Sequence, residues 1–358
     1  MLAVYITGHG FGHATRTAEV LRVIRTREPG IPITVVAPVP GRLFDGIPGG
    51  VFHRDQTIDF GLVQRDALNI AEEETAQRWR EFAAGWDGLV QAEARWLRAQ
   101  GARLVLGDIP PLAFAAAHIA GIPSIALGNF SWDWIYAHLS GRHPALADAA
   151  RTCATAQHQA QLLLQLPFAG DMTSFPVREE IPLLARRSAI GREEARRRLG
   201  LRPEQTVVLL SFGGIGLALD PKALAAEPQF HFLLEAEAEV AKNATALSDS
   251  VRAARGLQYE DVVVAADVVV TKPGYGIVSD AIGAATRVLY TDRGDFPEYP
   301  IMVEEMPRYL ACRHIGRDDL LAGRLGPSIR ALLAQPQPAP SSIEGANVAA
   351  LRILERYS

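Results

Sequence analysis

Cysteine is nearly absent from this 358-residue chain. The only two cysteines, Cys153 and Cys312, lie far apart in the sequence and have no metal-binding or redox spacing around them. This scarcity gives no support to a disulfide framework or to a cysteine-based metal site. It suits two small buried or idle thiols in a reducing cytoplasm, and we predict a cytoplasmic location.

An excess of positive charge is also missing. The chain has 36 Lys and Arg residues against 40 Asp and Glu residues, for a net charge of −4. This balance predicts no general attraction to nucleic acid or to an anionic membrane, so any basic surface must be local. The densest local candidate is an arginine run, which comprises Arg186, Arg187, Arg192 and Arg196–Arg198. A solvated helix face is the usual explanation of such a run, and a lipid or phosphate contact is the alternative.

Long uninterrupted apolar runs are missing as well. The segment Ile109–Leu127 comes closest, but the prolines within it favour a helix followed by a buried strand over a membrane span. Met1–Thr7 is a strand-like apolar run with no basic residue before it, so we expect no signal peptide. We predict no transmembrane segment, and peripheral membrane contact stays open.

The residues that are present alternate between strand and helix patterns. A chain of this length suggests two domains, and 48% hydrophobic with 21% charged residues is typical of a globular protein. A strand at Leu2–Thr7, a helix and a strand at Ile33–Val36 predict a parallel sheet, and the second half repeats this architecture from Thr206–Leu210. One long amphipathic helix is predicted over Glu72–Gln100.

A glycine turn lies within Val268–Asp280, where a valine-rich strand runs into Gly274-Tyr275-Gly276 and then into a helical pattern. The free N–H groups and the dipole of a helix N-terminus attract anions, and glycine lets a phosphate approach the backbone. A tight turn with no ligand is the alternative. A second glycine turn, Ser211–Gly216, follows another strand, and the pair favours a diphosphate site.

A third glycine turn opens the chain, in GHGFGHATR at residues 8–16. Its glycines have GxGxG rather than GxGxxG spacing, and no acidic residue ends the next strand, so a dinucleotide fingerprint is poorly supported. His13 and His9 lie where substrates bind in open α/β folds, and a helix N-terminus favours the neutral imidazole that a general base requires. Helix capping or bonding to the loop backbone is the alternative for both residues.

Polar and aromatic residues follow two further strands of the first half. Asp108 ends a predicted strand and would lie near His13 if the two strands are neighbours, where its carboxylate could orient the imidazole. Capping of the next helix is the alternative. The Phe130–Trp134 cluster would form either a wall for an acceptor or a packed core.

These motifs resemble a known family. GHGFGHATR, GNFSWDWIYA, KPGYGIVSDAIG and RGDFPEYP are similar, in the same order, to the glycosyltransferase-like N-terminal half of plant L-arabinokinases. More distantly, the chain resembles inverting GT-B glycosyltransferases, including the murein N-acetylglucosaminyltransferase and plant-type UDP-sugar transferases. No sugar-kinase motif occurs in the chain, so the resemblance does not imply kinase activity.

The resemblance implies an α/β protein of the GT-B class, with two Rossmann-like domains whose parallel sheets face each other across a cleft. We predict an acceptor domain at residues 1–170, a nucleotide-sugar-binding domain at 171–339, and a C-terminal helix within 340–358 that packs back on the first domain. The implied catalytic pair is His13 as general base with Asp108 as its orienting partner.

The resemblance also implies binding residues. On the donor side they are Gly12, Ser211, Gly213, Gly214, Gly256, Leu257, Lys272, Gly274, Tyr275, Gly276, Ser279, Asp280, Asp295 and Glu298. On the acceptor side they are His9, Phe11, Asn129 and Trp132. Asp280 matches a glutamate that binds the ribose and is one carbon shorter. Asp295 and Glu298 match residues that contact the transferred sugar, although Phe-Pro-Glu stands where those families have Gln or Asp-Gln.

The function implied by these matches is inverting transfer of a sugar from a nucleotide donor, expected to be a UDP-sugar, to an acceptor hydroxyl. No Asp-x-Asp metal clamp occurs, so we expect no metal and no tightly bound cofactor beyond the donor substrate. One alternative is a non-catalytic or regulatory nucleotide-sugar-binding protein. Another is a nucleotide-sugar epimerase, which would need additional acid and base carboxylates.

Overall fold

The computed structural model describes residues 1–65, 70–212, 221–235 and 241–357. Seven strands of the described chain form the first sheet: β1 (Leu2–Ile6), β2 (Ile33–Val36), β3 (Phe52–Arg54), β4 (Leu104–Asp108), β5 (Ser124–Gly128), β6 (Leu162–Gln165) and β7 (Arg178–Glu180). Their order is β3-β2-β1-β4-β5-β6-β7, and neighbouring strands are parallel. The helices of this half are α1 (Phe11–Arg27), α2 (Glu72–Ala84), α3 (Trp86–Ala99), α4 (Pro111–Ala120), α5 (Trp132–Ser140) and α6 (Ala145–Gln157).

The second sheet has six parallel strands within the described ranges: β8 (Thr206–Ser211), β9 (Phe230–Leu234), β10 (Ala244–Ala246), β11 (Val268–Thr271), β12 (Arg287–Tyr290) and β13 (Cys312–His314). Their order is β10-β9-β8-β11-β12-β13. The helices are α7 (Gly191–Leu199), α8 (Pro221–Ala225), α9 (Asp249–Ala254), α10 (Tyr259–Ala265), α11 (Tyr275–Gly283), α12 (Glu298–Glu305), α13 (Arg317–Leu321), α14 (Gly326–Leu333) and α15 (Gly345–Tyr357).

Each sheet reverses its strand order at one place. The glycine turns after β1 and β11 lie at these two places. In the first sheet, β1 lies between β2 and β4, with Ile6 in register with Asp108. In the second, β8 lies between β9 and β11, with Ser211 in register with Thr271. Ligands of open α/β sheets bind at the carboxyl ends of strands at such a reversal. The architecture therefore gives each half one preferred ligand-binding edge.

The two halves share an apolar core. Helix α1 packs against α11 of the second half and against α15 at the end of the chain. Leu21, Val278 and Ile353, one from each of these helices, are completely buried in the same hydrophobic cluster. Burial of this apolar surface holds α1 and α11 side by side.

Two local features differ from simple expectations. The single helix predicted over Glu72–Gln100 is wrong, because the chain breaks at Gly85 into α2 and α3. Glycine lowers helix stability in the middle of a helix, which allows this break. The first sheet continues past residue 170, since β7 pairs with β6. The division between domains at residue 170 stays a prediction.

No helix in the described part of the chain has both the length and the apolar character required to cross a bilayer.

The packing of α15 predicts a strong position dependence of stability. Ile353→Ala removes a completely buried side chain from the shared core, and we expect a loss of about 2–5 kcal/mol. Leu351 lies on the same helix and is 41% exposed, so Leu351→Ala should change the free energy of unfolding by about 0.5 kcal/mol or less. Urea unfolding of both variants measures the difference. Equal losses would contradict the docking of α15 on the core.

Candidate functional site

The turn after β1 presents a helix N-terminus at the edge of the first sheet. Gly10 has a φ of 81°, a conformation that favours glycine, and it directly precedes the first residue of α1. Phe11 is 44% exposed, and Gly12 is also exposed. The first N–H groups of α1 have no partner within the helix. The turn is therefore suited to receive an anion.

His13 and Asp108 lie within hydrogen-bond distance of each other. The distance between His13 Nδ1 and Asp108 Oδ1 is 2.8 Å, although the residues are 95 positions apart in sequence. The neighbouring strands explain this contact, because β4 ends in Asp108 beside the last residue of β1. Both side chains are buried, with relative exposures of 8% for His13 and 0% for Asp108. This is the geometry expected of a carboxylate that orients an imidazole.

Asp108 has further partners on α1. Arg16 donates to Oδ2 through Nε at 2.8 Å and to Oδ1 through Nη2 at 2.6 Å, and the Thr17 hydroxyl donates to Oδ2 at 2.8 Å. Burial alone would raise the pKa of Asp108, but the Arg16 charge and the hydrogen bonds outweigh burial and hold that pKa well below its usual range. Asp108 is therefore an anion in the folded protein.

Two charged side chains contact Nδ1 of His13. Arg16 Nη2 lies 3.0 Å from His13 Nδ1, but Arg16 offers only donors and Asp108 only acceptors. In the tautomer that carries its hydrogen on Nδ1, His13 donates this hydrogen to the carboxylate. The lone pair of Nε2 is then available to accept a proton.

The residue after Asp108 has a strained backbone. Ile109 has a φ of 65° and is completely buried. A β-branched residue with positive φ is unusual, and such strain costs about 1–3 kcal/mol where the surroundings enforce it. The strain lies directly beside the His13–Asp108 pair, which is where functional sites commonly concentrate it.

The turn after β11 faces the turn after β1. Helix α11 begins at Tyr275, after Gly274 as its N-cap residue. A Cβ atom added to Gly276 would lie 3.4 Å from the Cα atom of Gly12. The positive ends of α1 and α11 therefore come together where the two domains meet.

Cationic side chains add to the positive potential of this junction. Arg293 Nη1 would lie 3.7 Å from a Cβ atom on Gly274, and it donates to the Pro273 carbonyl at 3.1 Å. Burial, followed by the nearby His13, Arg293 and Lys272, lowers the pKa of His9 to about 3. His9 is thus neutral at physiological pH, and the junction favours negative charge.

Other predicted donor-binding residues have structural partners. The Ser279 hydroxyl donates to the Gly276 carbonyl at 2.9 Å, and the Ser211 and Tyr259 hydroxyls bond to each other. The Gly256 carbonyl accepts from Arg198, and Leu257 is 3% exposed in the core beneath α10. Gly213 and Gly214 lie outside the described residues. The donor-binding roles of these residues stay predictions.

Asp280 is occupied by an arginine. The Arg186 backbone N–H and Nε each donate to its carboxylate at 3.0 Å, and Nη2 makes a further ion pair with it. The Asp280 side chain is 3% exposed. Its proposed contact with a ribose would therefore require exchange of Arg186 for hydroxyl groups.

Asp295 and Glu298 connect the second domain to the first. Asp295 accepts from His138 Nε2 at 2.7 Å and is also paired with Arg142. Glu298 is 2% exposed; it accepts from Asn129 Nδ2 at 2.6 Å and pairs with Arg293. Both carboxylates predicted to contact the sugar thus bridge the two domains.

Two of the predicted acceptor residues, His9 and Trp132, lie in an aromatic cluster beside the first turn. The His9 ring meets Trp132 edge-on at 5.2 Å between centroids and lies parallel to Phe296 of the second domain at 6.4 Å. Trp132 is completely buried and donates through Nε1 to Asp59 at 3.1 Å. Core packing, the alternative reading of this aromatic cluster, therefore accounts for Trp132. Phe11 is the predicted acceptor residue with the largest exposed surface.

Sequence reasoning missed three charged residues of this site. Arg16 grips Asp108, Arg293 lies over the second turn, and Asp59 accepts from the Gly8 backbone and from Trp132, while burial raises the Asp59 pKa. Arg16 stood in a quoted motif, so its charge near two histidines was an available signal. Arg293 also stood in a quoted motif, RGDFPEYP, so its charge beside Asp295 and Glu298 was a comparable signal, whereas Asp59 had none.

The arginine run has structural partners. Arg192 and Arg196 pair with Asp267, whereas Arg197 and Arg198 pair with Glu194. Arg186 pairs with Asp280, and Arg187 pairs with Glu344. These contacts favour intramolecular packing for the run over the alternative of a lipid or phosphate site.

Comparison with known proteins supports the fold and the resemblance. No protein-family model matches the chain. L-arabinokinase of Arabidopsis thaliana is 29% identical over 356 residues, which are 98% of this chain and 34% of that protein. The chain therefore spans about a third of the length of this relative. The similarity confirms the resemblance predicted from the motifs.

Solved structures show the same architecture. The glycosyltransferase of kitacinnamycin matches with a TM-score of 0.62 and 17% identity, covering 99% of this chain and 95% of that one. UGT2 of Phytolacca americana, complexed with UDP-2-fluoroglucose and pterostilbene, matches with a TM-score of 0.61 and 12% identity, covering 99% and 94%. The chain has the GT-B fold, with two parallel α/β domains, as predicted.

The buried charges around Asp108 predict a pH-dependent loss of stability on mutation. Asp108→Asn leaves the Arg16 cation without its counter-ion, so we expect a loss of about 3–5 kcal/mol at pH 7. The pKa of Asp108 is depressed by folding, so its contribution is complete above the pKa of the unfolded chain and disappears as pH falls through the folded value. The difference in free energy of unfolding between variant and wild type should become smaller below about pH 4.

Urea unfolding at a series of pH values measures this difference. Asp249→Asn is the control, because it breaks a pair with Arg42 in which the side chains are 47% and 52% exposed, and it should cost about 1 kcal/mol or less. A constant difference for Asp108→Asn down to pH 3 would contradict the buried anion.

Proposed function

We propose that this GT-B chain is an inverting glycosyltransferase that moves a sugar from a UDP-sugar to an acceptor hydroxyl. One observation carries the proposal: the N-termini of α1 and α11 face each other, with His13 in the first turn of α1. Two convergent helix N-termini suit a diphosphate. An imidazole beside them is a suitable group to accept the proton of an attacking hydroxyl.

The reaction assigns a role to each part of this junction. The acceptor hydroxyl gives its proton to His13 Nε2, and its oxygen bonds to the anomeric carbon of the donor. The bond from that carbon to the diphosphate oxygen breaks, and the electron pair leaves with UDP. Attack opposite the leaving group inverts the anomeric configuration.

Electrostatic stabilisation of the leaving group is the main task of the second domain. The backbone N–H groups at Gly274 and Gly276, with Lys272 and Arg293, would face the growing negative charge of the diphosphate. Donors fixed before the reaction stabilise such charge without reorganisation. In the first domain, Asp108 keeps the Nδ1 hydrogen of His13 in place while Nε2 takes the proton.

A nucleotide-sugar-binding protein without transfer activity is the second candidate. Its support is that Asp295 and Glu298 both have first-domain partners. The same occupation weakens the epimerase alternative, which needs free acid and base carboxylates near the sugar. The similarity of the chain to one third of L-arabinokinase is compatible with a binding role inside a larger enzyme.

His13→Ala separates these two candidates. Calorimetry with UDP, GDP and ADP first tests the donor site, and we expect UDP to bind wild type and variant alike. Hydrolysis of UDP-sugars should then fall about 10²–10⁴-fold in His13→Ala, because the general base is lost. His118→Ala, at an exposed histidine, is the control. Unchanged hydrolysis in His13→Ala would contradict the role of His13, and failure of all three nucleotides to bind would contradict both candidates.

Gly276→Ala tests the junction itself. The added methyl group would lie 3.4 Å from the Gly12 Cα atom and would fill the gap between the turns. Alanine favours the helix at this position, so the expected result is a folded protein with UDP affinity lowered about tenfold or more. Gly141→Ala adds a methyl group in open space and is the matched control. Equal UDP affinity in both variants would contradict binding between the turns.

A further inference from the structure

Arg16 is a buried cation at the centre of the candidate site. Its side chain is 4% exposed, and its three nitrogens all have acceptors. Nε and Nη2 donate to the two oxygens of Asp108, and Nη1 donates to Asn129 Oδ1 at 2.9 Å. Burial lowers the pKa of Arg16, but Asp108 reverses the effect and keeps it charged. A buried guanidinium held this firmly fixes the positions of its partners.

The two hydrogen bonds from Arg16 to Asp108 determine which carboxylate oxygen faces His13. Parallel bonds to both carboxylate oxygens fix the plane of the carboxylate. Oδ1 is thereby directed at His13 Nδ1, 2.8 Å away. Without these paired bonds, the Asp108 carboxylate could rotate and keep only its hydrogen bond from Thr17.

Arg16 also opposes protonation of His13. An imidazolium would be attracted by Asp108, but the Arg16 guanidinium already neutralises that carboxylate and lies 3.0 Å from His13 Nδ1. A positive charge at this distance disfavours a second one. The neutral imidazole is the form that accepts a proton from a hydroxyl.

The second domain holds Arg16 from the other side. The Arg16 guanidinium carbon lies 5.2 Å from the centre of the Tyr275 ring, in the first turn of α11. Asn129, the acceptor for Nη1, donates in turn to Glu298 at 2.6 Å. The position of Arg16 therefore depends on contact between the two domains.

We propose that Arg16 is a positioning residue: when the two domains are in contact, it fixes Asp108 against His13, and its charge opposes a second positive charge on the imidazole. The inference rests on the proposed function, in which His13 takes a proton. Arg16 acts through its neighbours and does not need to touch the substrate.

The groups that face His13 come from several elements. Arg16 lies on α1, Asp108 on β4, His9 in the turn between β1 and α1, and Asp59 in the segment after β3. From the second domain, Lys272 and Arg293 act on the neighbouring His9. Asp108 Oδ1 and Arg16 Nη2 contact the ring directly, at 2.8 Å and 3.0 Å from Nδ1.

An NMR titration of the full chain with labelled histidine tests the proposal without reference to catalysis. The pH midpoint of the His13 ring should rise by about one unit or more in Arg16→Gln, because the opposing charge is removed. Arg16→Lys keeps the charge but loses the paired guanidinium bonds to Asp108, so its midpoint should fall between those of wild type and Arg16→Gln. Thr17→Val removes a neutral hydrogen bond to Asp108 and should leave the midpoint near wild type.

Asn129→Leu tests the dependence on the second domain. It changes no charge, so a rise in the His13 midpoint, smaller than in Arg16→Gln, would report a displaced Arg16. An unchanged midpoint in Asn129→Leu would overturn this part of the proposal.

Identical midpoints in wild type and Arg16→Gln would overturn the proposal as a whole. If Arg16→Gln does not fold, identical midpoints in wild type and Arg16→Lys would do the same. Absence of UDP binding by the wild type would contradict the proposed function instead, and the titrations would still decide the effect of Arg16 on His13.

Discussion

The ionised carboxylate of Asp108 is the constraint on which the site depends. A buried anion is tolerated only where charges and hydrogen bonds compensate its lost hydration. Here the compensation comes from His13, Arg16 and Thr17, which are spaced i, i+3 and i+4 and therefore lie on one face of α1. Satisfying one carboxylate thus fixes the start of α1 against the end of β4. The same contacts orient the imidazole and present the helix N-terminus at the edge of the sheet.

This constraint extends into the second domain through polar contacts. Arg16 bonds to Asn129, which bonds to Glu298, which pairs with Arg293. Alternating donors and acceptors leave each buried group with a partner, which a domain interface containing charges requires. Apolar packing between α1 and α11 lies beside this series of polar contacts. The two positive helix ends are held together although they repel each other, and an anion between them would be attracted by both.

The sequence predicted the parts of this arrangement that depend on local pattern. Strand periodicity and glycine turns indicated both parallel sheets, and the adjacency of two strand ends brought His13 to Asp108. The partners of Asp280, Asp295 and Glu298 could not be predicted, because Arg186, Arg142 and Asn129 reach them from distant segments. A motif specifies a residue type at a position, whereas its partner depends on how two domains pack. The break at Gly85 was missed because the apolar spacing continues across it.

The Asp108 carboxylate, which contacts both His13 and Arg16, also affects how much each domain would contribute to lowering the barrier to transfer. Asp108 can orient His13 well, but it stabilises an imidazolium less than an unpaired carboxylate would, since Arg16 already neutralises it. A base of this kind suits a transition state in which the acceptor loses its proton late. In the proposed transfer, departure of the diphosphate would then lead, and its charge would develop at the facing N-termini of α1 and α11. In such a transfer, stabilisation of the leaving group would contribute more to catalysis than the strength of the base.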